Sequence, residues 1–459
     1  MADGHGWVER FHDDELIVPI PQLAVVRKAL RDLGVSVSGD DVKESPALGL
    51  ARLTRLKGIS PAADKLEHGE HTAEEIRAYR ELRGAALPKA PKVSDLAVVI
   101  RGVQAELARE YPGWRIAIGK NYRPSVVHGD PHTDGSGHPK PHTDGAGHPK
   151  PHTDGAGQPT VTSADCAGPI VQPDPHTDIA RPQAHAHQPG WGVRVGLVDT
   201  KLFPHETLDG RYITDPGDIL ASSKAYSEFD GHATFVASCI VRQAPAAGLY
   251  ARSVLGRDGD GSAWDAAVGI ADLVPLGLDV VNLSFGEYMT DDDAAPMVLD
   301  AAIRLFGRDT VVVASAGNNG DPDGPRPSGL PEGVTPDTTS YPAALPGVVG
   351  VGACTTKNHR AKFTPHPAPW ISLLARGVDI NAAYLRGEVR LPPAKKPTRF
   401  EGFANWAGCS FAAGVVSGII AARTIPGQRS AREALAELEA SLRRQPWPGL
   451  LINPDLLIK

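Results

Sequence analysis

Three polar residues, each at the edge of an apolar segment, are of the types that together activate a nucleophile. Asp199 ends the run Val193-Arg-Val-Gly-Leu-Val-Asp, and His232 follows a glycine at the start of an Ala- and Val-rich segment. Ser410 opens the small-residue segment Gly408-Cys-Ser-Phe-Ala-Ala-Gly. A histidine that takes the proton of a serine hydroxyl, and an aspartate that orients the histidine, form the triad of serine hydrolases. The chain order Asp, His, Ser is one of the orders in which this triad is known.

Taken one at a time, these residues have structural explanations. Asp199 suits a turn or a helix cap, His232 suits a cap or a core position, and a serine at a helix start is commonly an N-cap. The combination of all three, each at a strand end or a helix start, favours catalysis over three separate structural roles. Cys409, beside Ser410, is a rival nucleophile, but we expect its side chain to point away from His232.

Apolar strands alternate with Ala-rich helices from Gly190 onward. Runs such as Val280-Val-Asn-Leu and Val311-Val-Val-Ala are apolar on both faces, which is typical of a parallel sheet covered by helices on both sides. In open sheets of this kind, sites form at the carboxyl ends of the strands, and Asp199 lies at such an end. The sequence therefore predicts an α/β fold with a mostly parallel sheet.

Residues 190 to about 425 resemble the subtilases, the subtilisin-like serine peptidases, in five blocks that follow the family's order. VGLVDT resembles the aspartate block, DGHATFVA the histidine block and GCSFAA the serine block. DVVNLSFG resembles the strand that borders the substrate, and VVVASAGNNG resembles the oxyanion block. The resemblance implies a subtilisin-like fold and a serine endopeptidase that forms an acyl-enzyme, with Ser410 as nucleophile, His232 as general base and Asp199 as the residue that orients it.

The same resemblance implies an oxyanion hole and a substrate-binding edge. Asn318 would donate its side-chain amide to the oxyanion, together with the backbone N–H of Ser410. The alternative for Asn318 is an asparagine that tolerates a tight turn beside Gly317 and Gly320. A polypeptide substrate would lie extended against Ser284, Phe285, Gly286, Ala314, Ser315, Ala316 and Gly317.

Several positions depart from the residues that are usual in the family. Lys201 and Ala233 each stand where the family usually has glycine. Phe235 replaces histidine, Cys409 replaces threonine and Gly414 replaces proline. None of these replacements removes a catalytic group, so they indicate a divergent branch. Phe285, bulkier than the common leucine, would reshape the specificity pocket. The complete set of catalytic groups favours a peptidase over the alternative, a catalytically silent subtilase fold that binds peptides.

The chain outside the peptidase-like region, 188–426, divides into three expected parts. Residues 1–124 are expected to form a small α+β domain, with an apolar run at Leu16–Ile20 and a strand at Trp114–Ile118 among its elements. We expect this domain to be either an inhibitory pro-segment that binds the catalytic domain or a module that binds a partner protein. Residues 427–459 are expected to form a helix and a tail that pack on the peptidase domain.

The third part, 125–187, contains a ten-residue unit that repeats: GDPHTDGSGH, PKPHTDGAGH and PKPHTDGAGQ. Dense proline and glycine with almost no apolar side chains cannot offset the entropy of ordering, so we expect a disordered linker. A plain spacer is the simpler interpretation, and weak metal binding is the alternative, by the histidines His132, His138, His142, His148 and His152.

Composition excludes several function classes. A net charge of -7 over 459 residues, with a pI near 6.2, provides no basic stripe for nucleic acid. The start of the chain lacks the basic and apolar regions of a secretory signal, and no later run suits a membrane span, so we expect a cytoplasmic protein without membrane contact. The four cysteines are scattered without a CxxC pair, so no zinc site or disulfide is expected. No cofactor is expected; calcium binding is not readable from the sequence.

Overall fold

The computed structural model describes residues 11–69, 72–86, 93–111, 116–124, 188–288, 296–321, 334–391, 396–445, 447 and 449–452. The predicted linker, 125–187, lies outside the described residues, as do Trp114 and Arg115 of the predicted strand.

The first described unit is an antiparallel sheet with helices packed on it, which we call the front domain (residues 11–124). Its elements are β1 (Phe11–Pro19), α1 (Leu23–Asp32), β2 (Val42–Ser45), β3 (Leu50–Leu53), α2 (Ile59–Glu67), α3 (Ala73–Ala86), α4 (Asp95–Glu110) and β4 (Gly119–Tyr122). The strands are ordered β2-β3-β1-β4. The last strand starts at Gly119, so the prediction of a strand at Trp114–Ile118 is wrong for its described part, Ile116–Ile118, which has no regular structure.

The second unit follows from residue 188. Its elements are β5 (Arg194–Asp199), β6 (Tyr212–Ile213), β7 (Tyr226–Ser227), α5 (His232–Gln243), β8 (Gly248–Ser253), α6 (Ala263–Leu273), β9 (Val280–Leu283), β10 (Glu287–Tyr288), α7 (Met297–Ile303), β11 (Val311–Ser315), β12 (Ser340–Tyr341), β13 (Val348–Cys354), β14 (Ile371–Arg376), β15 (Ile380–Arg390), β16 (Thr398–Trp406), α8 (Cys409–Arg423), α9 (Ala431–Arg444) and β17 (Leu450–Ile452).

Within the described residues, eight strands of this unit form one sheet in the order β17-β14-β13-β11-β9-β5-β8-β6. Every neighbouring pair is parallel except β14 with β17. The central strands β9, β11 and β13 are buried at every position, which explains why their sequences are continuous apolar runs. The predicted α/β fold with a mostly parallel sheet is confirmed.

Two pairs of helices cover this sheet. Helix α8 packs on α5 and on the central strands, whereas α6 packs on β5 and β8 and against α7. Helices α5 and α8 approach each other closely because two positions on α8 are glycines. A Cβ at Gly418 would lie 2.5 Å from the carbonyl oxygen of Ile240, and a Cβ at Gly414 would lie 3.2 Å from the carbonyl oxygen of Val236. Close approach of these two helices brings their first residues, Cys409 and His232, to the same end of the sheet.

The front domain packs on the second unit through the outer face of its sheet. Along β1, Leu16 and Val18 belong to the core of the front domain, whereas Ile17 belongs to the core of the second unit. Side chains alternate between the two faces of a strand, so β1 serves both cores. Leu48 and Leu50 also belong to the core of the second unit. The two units therefore share a continuous apolar contact.

The last elements complete the main sheet and its covering. Helix α9 contacts α8 and β11, and β17 pairs with β14 to form one edge of the sheet. The long strands β15 and β16 form an antiparallel hairpin that carries the chain to the start of α8. No helix in the described part of the chain is long and apolar enough to cross a membrane.

Candidate active site

A buried aspartate and histidine lie in direct contact at the carboxyl end of β5. The Nδ1 atom of His232 lies 2.7 Å from Oδ1 of Asp199, which also accepts the backbone N–H of Thr200 at 2.7 Å. Both side chains are almost fully buried, with relative exposures of 0% for His232 and 1% or less for Asp199. Because the carboxylate accepts from Nδ1, the neutral imidazole keeps its lone pair on Nε2. Nε2 has no hydrogen-bond partner among the described residues.

The turn before His232 is braced by its own side chains. Asp230 accepts the backbone N–H of Ser227 at 2.8 Å, and Arg257 donates to Asp230 at 2.7 Å. Gly231 lies against an aromatic ring, since a Cβ there would be only 2.3 Å from Cε2 of Tyr384. A larger residue at Gly231 would displace the start of α5 and with it the imidazole.

Aromatic side chains surround the imidazole ring. Trp406, the last residue of β16, stands edge-on to His232 with ring centroids 5.7 Å apart. The ring of Phe411 lies 5.6 Å from that of His232. Phe235, at the position where the family usually has histidine, packs on Phe411 at 4.3 Å. These contacts place the first turn of α8, which carries Ser410, beside the imidazole.

Ser410 is held against the end of β9 by a reciprocal pair of hydrogen bonds. Its Oγ donates to the carbonyl oxygen of Ser284 at 3.1 Å, and the Oγ of Ser284 donates to the carbonyl oxygen of Ser410 at 2.9 Å. A buried chain continues below them: Nδ2 of Asn282 donates to Oγ of Ser284 at 2.8 Å, and Oγ of Ser417 donates to Oδ1 of Asn282 at 2.9 Å. These hydrogen bonds tie helix α8, which carries Ser410, to the sheet.

The side chain of Asn318 bonds to the backbone just before Ser410. Its Oδ1 accepts the backbone N–H of Cys409 at 2.9 Å, and the backbone N–H of Asn318 donates to the hydroxyl of Tyr288 at 3.0 Å. Gly317 has a φ of 100°, and a Cβ there would lie 2.9 Å from the hydroxyl of Tyr288. Glycine is therefore required for Asn318 to approach the start of α8.

The predicted substrate-binding residues lie at the ends of two adjacent strands. Ser284, Phe285 and Gly286 follow β9, and Ala314 and Ser315 end β11, with Ala316 and Gly317 immediately after. β9 and β11 pair in parallel, so these two stretches emerge side by side. Phe285 is fully buried, and its carbonyl oxygen accepts from Oγ of Ser315 at 3.4 Å. The Sγ of Cys409 lies 3.6 Å from Oγ1 of Thr364, a contact separate from His232.

Other described residues contribute to this site without having been predicted from the sequence. Trp406 and Phe411 pack on His232, Asn282 and Ser417 support Ser284, and Tyr288 supports Asn318. The sequence signal for Asn282 is a polar side chain inside an otherwise apolar strand, which usually marks a buried hydrogen-bond network. The aromatic contacts depend on pairing between distant segments, so no local pattern indicates them. The described residues contain no group of three or more His, Cys, Asp or Glu suited to a metal ion.

Comparison with known families decides the classification. The family described as the subtilase family matches residues 190–426, just over half of the 459-residue chain. The chain belongs to the subtilase family. The predicted resemblance is thereby confirmed at the level of the family.

Individual relatives are distant and are named as proteases. A thermostable alkaline protease from Halalkalibacterium halodurans is 30% identical over 205 residues, which cover 42% of this chain and 50% of that protein. Subtilisin BL from Lederbergia lenta is 29% identical over 217 residues, 45% of this chain and 72% of that protein. Fervidolysin from Fervidobacterium pennivorans, a keratinolytic enzyme related to subtilisin, is 18% identical, with a TM-score of 0.49 and coverage of 92% of this chain and 55% of that one. The chain thus spans half the length of the first of these relatives.

Proposed function

We propose that this subtilase is a serine endopeptidase that uses Ser410, His232 and Asp199. The observation that carries the proposal is the buried 2.7 Å contact between Asp199 and Nδ1 of His232, which leaves Nε2 without a partner beside the first turn of α8. A free Nε2 next to a serine is the arrangement that a general base requires. The naming of the curated relatives as proteases agrees with it.

The reaction would proceed in two stages. The hydroxyl of Ser410 would exchange the carbonyl oxygen of Ser284 for Nε2 of His232 as its acceptor, and Nε2 would take its proton as Oγ attacks the scissile carbonyl. Asp199 holds the tautomer and stabilises the imidazolium, and His232 then protonates the leaving amine. Water, activated by the same imidazole, releases the acyl group from Ser410. Asn318 and the N–H of Ser410 would stabilise the oxyanion.

Covalent labelling by a fluorophosphonate, followed by intact mass measurement, tests this proposal. The wild-type chain should gain one label and hydrolyse a casein-like substrate, and Ser410→Ala should do neither while remaining folded. Cys409→Ser is the matched control, since the Cys409 thiol contacts Thr364, and it should keep most of the activity. Hydrolysis by Ser410→Ala, or its loss in Cys409→Ser alone, would overturn the assignment of the nucleophile. A folded wild type that never labels, even after incubation until its intact mass stops changing and in the Asn121→Ala variant that weakens the contact of the front domain, would favour the catalytically silent alternative.

We also propose that the front domain acts on the catalytic domain as an inhibitory pro-segment rather than as a separate partner-binding module. The carbonyl oxygen of Pro124, its last described residue, accepts the N–H of Gly261 at 2.9 Å. Gly261 in turn forms a bridge with Leu255, whose N–H donates to the carbonyl oxygen of Asp199 at 3.2 Å. The last described residue of the front domain is therefore connected through two backbone contacts to Asp199 of the proposed triad, which supports a direct action of this domain on the catalytic domain.

A further inference from the structure

A buried carboxylate lies next to the proposed substrate-binding edge. Glu287 begins β10, directly after Gly286, and is only 4% exposed. Neither of its carboxylate oxygens has a hydrogen-bond partner among the described residues. Burial raises the pKa of Glu287 to about 8, and no charged group among the described residues offsets this shift.

The position of Glu287 relates it to the reacting groups. Ser284, three residues earlier, exchanges two hydrogen bonds with Ser410. Tyr288, the next residue, holds the N–H of Asn318 through its hydroxyl. Three residues of extended chain span roughly 10 Å, so Glu287 lies within about three substrate residues of the scissile bond.

The packing around Glu287 offers no structural reason for a carboxylate. The neighbouring strand β12 places Tyr341 opposite Glu287 and Ser340 opposite Tyr288. The hydroxyl of Ser340 is also buried without a hydrogen-bond partner in the described part of the chain. A buried carboxyl group without a hydrogen-bond partner destabilises a fold, so its presence here calls for a functional reason. Ser340 lies on the other face of this strand pair from Glu287, so the unpaired carboxylate of Glu287, three residues after Ser284, is the observation that indicates a subsite for a polar group.

We propose that Glu287 binds a lysine or arginine side chain of the peptide substrate, within three residues of the scissile bond. This inference rests on the proposed endopeptidase function and adds a substrate class to it. The incoming ammonium or guanidinium would donate to the carboxylate and neutralise its charge. A charge-assisted hydrogen bond of this kind is stronger than one between neutral groups. An apolar side chain of equal length would leave the carboxylate unpaired.

Pairs of quenched fluorescent peptides that differ only in lysine or norleucine at one position test the proposal. Lysine and norleucine have side chains of similar length, so their comparison isolates the charge. The full chain is incubated until its intact mass stops changing, and kcat/KM is then measured with the substitution at each of four positions on either side of the scissile bond. We expect a preference for lysine of about tenfold or more at one position. Glu287→Gln should bring that ratio close to one, whereas Glu401→Gln, an exposed carboxylate on β16, should leave it unchanged.

The outcomes separate this inference from the function on which it rests. A chain that takes up fluorophosphonate and cleaves peptides but shows no lysine preference at any position would overturn the role of Glu287 and leave the peptidase intact. A preference that survives in Glu287→Gln would overturn it as well. If Glu287→Gln does not fold, Glu287→Asp keeps the charge and should retain the preference, and the wild-type ratio remains decisive. A chain that neither labels nor cleaves would overturn the proposed function and this inference with it.

Discussion

The side-chain oxygen of Asn318 accepts the backbone N–H of Cys409 at 2.9 Å, which orients the amide of this side chain. An amide has its oxygen and its NH2 group on opposite sides, so fixing the oxygen toward the start of α8 fixes the direction of the NH2 group as well. The same contact holds the residue that precedes Ser410. One hydrogen bond thereby sets the relative position of the proposed oxyanion donor and the proposed nucleophile.

Removing the donor of Asn318 should lower kcat without weakening substrate binding. We expect Asn318→Ala to reduce kcat by roughly 100-fold to 1000-fold with little change in KM, since the bond from the amide strengthens only as charge develops on the substrate oxygen. Asn318→Asp keeps the acceptor for the N–H of Cys409 but lacks the donor, so its kcat should fall at least as far. Steady-state kinetics on a peptide substrate provide the measurement.

Asn319→Ala is the matched control for these variants. Asn319 donates to the carbonyl oxygen of Thr335 at 2.6 Å, which gives it a structural contact. Its kcat should stay within a few-fold of the wild type. If Asn318→Asp retained the wild-type kcat, the acceptor role toward Cys409 would be the whole contribution of Asn318, and the oxyanion assignment would be wrong.

The sequence predicts the sheet and the contact between Asp199 and His232 because both depend on segments with strong local patterns. Continuous apolar runs predict buried parallel strands, and strand ends predict where the polar residues gather. The predicted strand at Trp114–Ile118 precedes the observed β4 because the predicted segment is mostly apolar, whereas β4 contains Lys120 and Asn121. Asn121 is buried against Ser262 and Trp264 of the second unit, a contact that no pattern within the front domain indicates. Lys120 lies over the ring of Phe11, within the front domain.

Loss of the Ser417 hydroxyl should destabilise the second unit. Ser417→Ala would leave Oδ1 of Asn282 without the donor that it now has at 2.9 Å, in a site where both residues are fully buried. An unsatisfied buried acceptor costs about 1 to 3 kcal/mol, so we expect a lower melting temperature. Differential scanning calorimetry measures the change. Ser222→Ala, at an exposed position, should have the melting temperature of the wild type. Equal melting temperatures for the two variants would show that the hydrogen bonds linking Ser417, Asn282 and Ser284 contribute no stability.

The buried carboxyl of Glu287 should make stability fall as the pH rises. Burial raises the pKa of Glu287 from 4.5 to about 8, so the folded state keeps a proton that the unfolded state releases. The resulting stability is fully present below pH 4.5 and is lost as the pH rises through about 8, with a slope of about 1.4 kcal/mol per pH unit between the two. Tyr341, on the opposite strand, has its own pKa raised, first by burial and then by the charge of Glu287.

Glu287→Gln removes this proton uptake, so its melting temperature relative to the wild type should increase steadily from pH 5 to pH 8. Calorimetry at four pH values in that interval measures the difference. Glu401→Gln should give a difference that does not depend on pH, because Glu401 is exposed. A pH-independent difference for Glu287→Gln would mean that the Glu287 carboxylate already has a charged partner in the folded chain.

Weakening the contact between the front domain and the second unit should increase the access of a reagent to Ser410. Asn121 is fully buried at this contact, where its Nδ2 donates to Glu15 at 2.6 Å and to Ser262 at 3.2 Å, and its Oδ1 accepts the N–H of Trp264 at 3.0 Å. Asn121→Ala would leave these groups unsatisfied, at a cost of about 1 to 3 kcal/mol, which corresponds to a roughly 5-fold to 150-fold larger undocked population. If the front domain blocks access to Ser410, the full chain carrying Asn121→Ala should react with fluorophosphonate at least about fivefold faster than the wild type. Lys28→Ala, which removes only an exposed ion pair with Asp32, should react at the wild-type rate. Equal labelling rates for all three chains, with Asn121→Ala still folded, would show that the docked front domain does not restrict the active site and would favour the partner-binding module.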